Sequence, residues 1–513
     1  MIPRWLLLLL PFGLAVAVYA PGIPSASWVV DDHVNLAVHA HEAELWGEWT
    51  MGTYAFAGGE SGHIWRPVPA TLQHASALVF GRTAPVFRAL NVGVHLLNVL
   101  LVMIVARRWG AGEVAAVGAG IAVSVHWAIP DAVCWSSDIY DLCAATCVLA
   151  AVGLLHRAQP AWRRVLMAFG FTLAGALCKE STVAVLPVLA LVTTITAGPR
   201  QGGVVALASA LAVAVYFQLH FVVTGQAYGE ATRASALGEQ LLAGLDTVGM
   251  VVVVAQRATM AHLFNATPLD AETLTGPIRG LGTLGLLGVL VVALRKERPA
   301  ALQLVLASLS LVALLAPVAV GVPLVGVAPV RYLYLPFLVF VALGAGALQR
   351  LPRLPLVVAL GALLLAHLPA TVRRVPAFVS DSALWRAELD AEPTNPYAAV
   401  SLAHALYGAL PKGDRTARGR VLGLWEAGIA ALPAGIRICD PAEERWSLAQ
   451  AAFLTGDPER ALRVVRQIGA GTSPQPAQLS CLEADALDAL GRHEEAERVA
   501  VACKPSPAAQ PPP

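Results

Sequence analysis

"FRALNVGVHLLNVLLVMIVA", residues 87–106, runs for twenty mostly apolar residues and is followed at once by Arg107 and Arg108. An α-helix rising about 1.5 Å per residue needs about that many to cross a hydrocarbon core of about 30 Å. The paired arginines mark the end that stays on the cytoplasmic side. Similar runs lie near 4–20, 112–128, 132–155, 163–178, 181–197, 203–223, 278–294, 300–320, 331–349 and 354–371, which makes eleven in all. The composition agrees. Of 513 residues, 57% are hydrophobic and 13% charged, with a mean hydropathy of +0.64. That charge content is about half that of a soluble domain, and a water-soluble fold cannot hide so much apolar surface. The chain is therefore expected to be an all-α, polytopic membrane protein with about eleven transmembrane helices. Its net charge of +1 and its lack of basic runs point away from nucleic acid.

Residues 5–20, "WLLLLLPFGLAVAVYA", have the look of a secretory signal ending at Ala20, but Pro21 would follow the cut and disfavours it. We read an uncleaved first helix. A second doubtful stretch is 247–264, "TVGMVVVVAQRATMAHLF", which carries Gln256, Arg257 and His262. Charge bias arbitrates. With eleven spans and the N-terminus inside, one side collects Arg4, Arg107, Arg108, Arg157, Arg163, Arg164, Arg200, Arg295, Lys296, Arg298, Arg350 and Arg353, whereas the opposite short loops, 129–131 and 179–180, hold only Lys179. Counting 247–264 as a span would put Arg295, Lys296 and Arg298 outside. It is read as re-entrant or interfacial, within an external loop 224–277. The loop 21–86 and everything after about 372 then also face outward.

The composition changes near residue 380, where apolar residues fall at helical spacing between charges. "LTGDPERALRVV", 454–465, matches "ALGRHEEAERVA", 489–500: Gly456 aligns with Gly491 and Ala461 with Ala496, each 35 residues on. Gly turns and a small Ala near this period are the mark of tetratricopeptide repeats. The expected organisation is a membrane domain over 1–372, a repeat-like α-solenoid over 380–503 and a disordered tail over 504–513. Of seven cysteines, Cys134, Cys143, Cys147 and Cys178 lie in or beside apolar runs and read as small core residues. Cys439, Cys481 and Cys503 lie in the polar tail, where a pair could bridge outside the cytoplasm.

Ionisable groups at membrane depth are costly and usually functional. Asp31 and Asp32 stand side by side in "WVVDDHVNL", 28–36, just after the first apolar run. In an extended chain they cannot point the same way, so one can face a site while the other braces the loop. A carboxylate at this boundary suits a general base; the alternative is a helix cap for "DDHVNLAVHAHEAELW". Lys179 and Glu180, in "LCKEST", read either as a neutralised interfacial pair or as site residues. Asp138 and Asp141 open a span, where the helix dipole favours acids. Arg331, in "RYLYLP", and Arg66, in "WRPVP", are external arginines that oppose the positive-inside rule and could hold an anion. His39, His41, Glu42 and Glu44 lack the spacing for a metal on one helical face.

In this order the pieces resemble the transmembrane, tetratricopeptide-repeat O-mannosyltransferase-like proteins of the GT-C glycosyltransferase superfamily, over nearly the whole chain. The matching positions are Asp31 and Asp32; Trp65, Arg66 and Pro67; Asn91, His95 and Asn98; His126, Asp131 and Trp135; Asp141; Lys179 and Glu180; and Arg331, Tyr332 and Tyr334. The chain departs from that pattern at Trp127, Ile139 and Val330. The resemblance implies a polyprenyl-phosphate sugar donor and a protein or glycan acceptor at the non-cytoplasmic surface. It implies Asp31 and Asp32 as the catalytic acids. Arg66, His95, Asp141, Lys179, Glu180, Arg331 and Tyr332 would bind substrate. No cofactor is called for, and a divalent metal is left open. An Ala/Val/Gly/Arg-rich composition suggests a bacterial inner membrane with a periplasmic C-terminal domain. The competing readings are a glycan ligase or polymerase of the same fold, and a non-catalytic scaffold whose repeats recruit envelope proteins.

Overall fold

The computed structural model describes residues 4–30, 32, 49, 65–155, 160–225, 288, 298–325, 330–348, 353–391, 393–432, 441–468 and 476–503. The described residues form helices and turns with no strand among them, in two compact units, Met1–Ala383 and Leu384–Pro513.

The first unit contains α1 (Arg4–Tyr19), α2 (Pro67–Phe80), α3 (Ala84–Arg108), α4 (Glu113–Val125), α5 (Ile129–Cys134), α6 (Ile139–Leu155), α7 (Ala161–Cys178), α8 (Val185–Ala197), α9 (Pro199–Thr224), α10 (Arg298–Val325), α11 (Tyr334–Leu348) and α12 (Arg353–Arg374). A helix stands on each apolar run read from the sequence except 278–294, of which only residue 288 is described; 247–264 lies outside the described residues. Among the described residues, five segments are both long and apolar enough to cross a membrane: Ala84–Arg108, Ser136–Leu155, Glu180–Ala197, Pro199–Thr224 and Val330–Ala347. The loop expected over 21–86 contains the short helix α2, which Pro67 starts by fixing φ at a position that needs no amide donor.

Burial ranks these segments. Ser136–Leu155 and Val330–Ala347 are each 78% buried inside the protein, against 33% for Glu180–Ala197 and Pro199–Thr224. The first two are therefore the centre of the unit and α8 and α9 its rim, where Leu207, Leu211 and Val222 point outward. Small residues set the close approaches, as packing between apolar helices in lipid requires. α8 and α9 join through Gly198, whose φ of +90° suits only glycine. Four residues on, a Cβ at Gly202 would lie 1.9 Å from Thr194 Oγ1 and 2.9 Å from the Ala190 carbonyl oxygen. α3 ends where Gly110 adopts a φ of +86°, and its last arginines turn back to carbonyls: Arg107 Nη1 donates to Ala111 O at 2.8 Å and Arg108 Nη1 to Gly153 O at 2.7 Å.

The first unit runs past residue 372, where the membrane domain was expected to stop. Polar ties hold the following segment to it. Ser27 Oγ donates to Val379 O at 2.7 Å, the Val30 N–H to Asp381 Oδ1 at 2.7 Å, and Arg88 Nη2 to Phe378 O at 2.8 Å.

Helix α13 (Asp381–Ala391) leads into the second unit, which continues with α14 (Pro396–Ala409), α15 (Arg415–Ala431), α16 (Pro441–Thr455), α17 (Pro458–Val465), α18 (Pro476–Ala489) and α19 (His493–Ala500). From α14 on, each packs against the next. Asn395, Asp414 and Asp457 cap the amides of α14, α15 and α17, and Pro396 and Pro458 follow two of these caps. The two sequence copies are the α16–α17 and α18–α19 pairs. Gly456 and Gly491 make the turns, at φ of +83° and +73°, and Ala461 and Ala496 are buried where the paired helices meet. Cys481 and Cys503 form a disulfide with Cα atoms 4.7 Å apart, tying α18 to the turn after α19. Cys439 lies outside the described residues.

The α8–α9 contact gives a direct test. Gly202→Val should overpack the pair by about 1–3 kcal/mol and lower the thermal midpoint of the detergent-solubilised protein. Gly203→Val, where a side chain meets open space, should shift it much less. Equal shifts would mean that the close approach at Gly202 does not limit packing.

Candidate functional site

At one end of the central helices, polar residues from six separate stretches of the chain converge. The chain builds this by interrupting its helices. α7 ends at Cys178, Lys179 is extended with φ of −160° and ψ of 129°, and a 3-10 turn, Glu180–Ala184, follows. In extended backbone successive side chains point to opposite sides, so Lys179 and Glu180 do not pair with each other. Lys179 Nζ instead pairs with Asp141, in the first turn of α6, and sits 4.5 Å from the Tyr332 ring centre. Glu180 takes a two-pronged bond from Arg66, with Nε–Oε2 at 2.8 Å and Nη2–Oε1 at 2.5 Å. Arg66 precedes the first turn of α2, and its guanidinium lies 4.9 Å from the Tyr140 ring centre. Trp65 beside it stacks on Tyr216.

The second interruption lies between α5 and α6, where Trp135 is extended and Ser136–Asp138 form a 3-10 turn. Side chains from elsewhere hold it. Asn91 Nδ2 donates to Trp135 O at 2.7 Å and Gln73 Nε2 to Ser136 O at 3.2 Å. Asp32 is fully buried and its Oδ1 accepts from the Ser137 N–H at 2.7 Å and from Ser137 Oγ at 2.6 Å. Its Oδ2 accepts from the Val29 N–H at 3.2 Å. So Asp32 braces the turn that presents Asp138. Asp138 stands 3.6 Å from Arg331 Nε. Arg331 lies in the 3-10 turn Val330–Leu333 and stacks 3.8 Å above the Trp135 ring centre, with the Tyr332 ring centre 5.6 Å away.

The result is a cluster of three cations, Arg66, Lys179 and Arg331, and three carboxylates, Asp138, Asp141 and Glu180, with Tyr332 between two of the cations. Opposite charges placed this closely offset the cost of leaving water, which would be several kcal/mol per ion if each stood alone. Chemically the cluster is a set of exchangeable partners: an anionic group entering it would compete with carboxylates for guanidinium and ammonium donors suited to phosphate.

The sequence-derived residues do not all meet there. Arg66, Asp141, Lys179, Glu180, Arg331 and Tyr332 come together. Asp32 touches the same turn from behind. Asp31 lies outside the described residues, between two that are anchored, Val30 and Asp32. His95 lies deeper along α3, where its Nδ1 is 2.8 Å from the Tyr334 hydroxyl, which also accepts from Asn98 Nδ2 at 3.2 Å. It belongs to a hydrogen-bonded core and not to the charge cluster. Sequence reasoning passed over Arg374, which forms a buried, two-pronged pair with Asp131 at 2.7 and 3.2 Å. The only signal was a pair of arginines, Arg373 and Arg374, after the last apolar run, on the side the charge rule assigns to the outside.

Removing one partner of that pair should be costly. Arg374→Gln should destabilise the first unit by about 3–5 kcal/mol, because Asp131 is left buried without its cation. Adding Asp131→Asn should recover part of the loss, measured by thermal unfolding in detergent. Additive losses would show that the two do not act as a pair.

Comparison with family models, with curated proteins and with solved structures gives no match for this chain, so its function has to be read from its own side chains.

Proposed function

We propose that this chain is a GT-C-type membrane glycosyltransferase that moves a sugar, such as mannose, from a polyprenyl phosphate to a hydroxyl of a protein or glycan. The observation that carries this reading is the neutral cluster of guanidinium, ammonium and carboxylate groups at one end of the membrane helices, beside the anchored backbone on either side of Asp31. Asp32 has its oxygens engaged with the Ser137 turn and with Val29, so this reading gives the proton-accepting role to Asp31. In the reaction the acceptor oxygen attacks the anomeric carbon while its proton passes to the Asp31 carboxylate. The anomeric carbon–oxygen bond breaks, and the lipid phosphate leaves with the bonding electrons. Lys179 and Arg331 would hold that phosphate, and Arg66 would keep Glu180 from competing for them.

The placement proposed is eleven spans with the cluster and the second unit on the non-cytoplasmic side of a bacterial inner membrane. The arginines at the opposite helix ends support it, and so does the Cys481–Cys503 disulfide, since such bonds persist in oxidising compartments. The second unit, read as a short tetratricopeptide-like solenoid, would position the acceptor. A reporter that needs an oxidising compartment should be active when fused after residue 400. Activity of a cytoplasmic reporter there would overturn the span count.

The central test uses the full-length protein with a labelled polyprenyl-phosphate sugar. Asp31→Asn should lower turnover by about 10²–10⁴ with donor binding retained, whereas Lys179→Gln and Arg331→Gln should weaken donor binding. A second reading, a non-catalytic scaffold, is favoured by one observation: each cation of the cluster already has a carboxylate partner. No consumption of any lipid-linked sugar, together with unchanged partner binding in Asp31→Asn, would select the scaffold.

A further inference from the structure

At the other end of the same helices lies a cavity of about 880 Å³. Along α3, Arg108 is separated from Asn91, at the charge cluster, by seventeen residues, or about 25 Å of helix. Along α7, Arg164 stands fifteen residues from Lys179, a rise of about 22 Å. The cavity is thus a separate place, at the membrane face remote from the candidate active site.

Its lining has two characters. Arg108, Arg164 and Gln201 supply polar groups, and no carboxylate among the described residues lines it. Ile195, Leu302 and Leu306 supply an apolar wall, and Leu302 is 47% exposed, so the wall opens toward the surroundings of the helices. Arg164 Nε and Gln201 Oε1 are shielded from solvent and find no hydrogen-bond partner among the described residues. Helices α7 and α9 both begin at this end, and the positive ends of their dipoles add to the potential of the two arginines. A shielded, unpartnered guanidinium nitrogen beside a second arginine and an apolar wall suits a ligand with an anionic head and a hydrocarbon tail. Basic pockets between membrane helices on the cytoplasmic side hold such headgroups.

We infer that this cavity binds the phosphate headgroup of an anionic membrane lipid, with Arg164 and Arg108 on the phosphate and the acyl chain along Leu302 and Leu306. The site is distinct from the proposed donor site and does not depend on the chain being a transferase.

The experiment is native mass spectrometry of the full-length protein in detergent, titrated with dioleoylphosphatidylglycerol, with dioleoylphosphatidylcholine, or with inorganic phosphate. The wild type should retain the anionic lipid in preference to the zwitterionic one, and inorganic phosphate should neither remain bound nor displace it. Arg164→Gln should weaken retention roughly fivefold, the size expected for one arginine near a lipid headgroup. Arg163→Gln serves as the control, because Arg163 is an exposed neighbour on the same helix turn that does not line the cavity. It should leave retention unchanged. A Leu302→Trp variant, which fills the apolar wall while keeping both charges, should also reduce retention. Equal retention by wild type and Arg164→Gln would overturn the inference, as would equal losses in Arg163→Gln and Arg164→Gln. Displacement of the lipid by inorganic phosphate would overturn the assignment to a lipid.

Discussion

A charge carried to membrane depth must find an opposite charge there, and in this protein that requirement decides where the helices break. α7 cannot simply run on into α8, because Lys179 and Glu180 would then project from one continuous helix with no common means of neutralisation. Extended backbone at Lys179 sends the two side chains apart, one to Asp141 and the other to Arg66. The break before α6 has the same logic, with Asp138 brought to Arg331. The break before α6 frees backbone amides and carbonyls, and polar side chains take them up: Asn91 and Gln73 donate to the Trp135 and Ser136 carbonyls, and Asp32 accepts from the Ser137 amide.

These ties also fix which parts of the chain are neighbours. Arg66 with Glu180, Asp131 with Arg374 and Val30 with Asp381 join residues far apart in sequence. They pull the segment after the first helix, the short α5 and the segment after α12 into one polar layer. The apolar faces of α3, α6 and α11 could slide or rotate against one another at little cost, since lipid tails are as apolar as leucine. The buried charge pairs and directional hydrogen bonds of this layer, with the deeper bonds of His95 and Asn98 to Tyr334, give the helices a single register.

The two ends of the membrane unit therefore differ in kind. One is a closed set of salt bridges in which every candidate cation already has a carboxylate, so a phosphate could enter only by exchange. The other is an open cavity with two arginines and no carboxylate among the described residues of its lining. On the readings proposed above, the first would exchange with a reacting phosphate and the second would hold a lipid headgroup.

Hydrophobicity and helix period alone determined that the chain is helical and embedded in a membrane, and roughly where each helix lies, because these are properties of local runs of residues. The repeat turns at Gly456 and Gly491 were legible for the same reason: only glycine takes their positive φ without strain. That Arg66, Lys179 and Arg331 are ionisable residues at the edges of apolar runs was legible as well. The pairing was not. That Lys179 takes Asp141 and not its neighbour Glu180, that Asp32 braces a turn, that His95 belongs to a core with Tyr334, and that Arg374 secures Asp131 all depend on contacts between distant segments. Such contacts are set by the direction of each side chain once the helices have packed, and no local pattern of residues carries that direction.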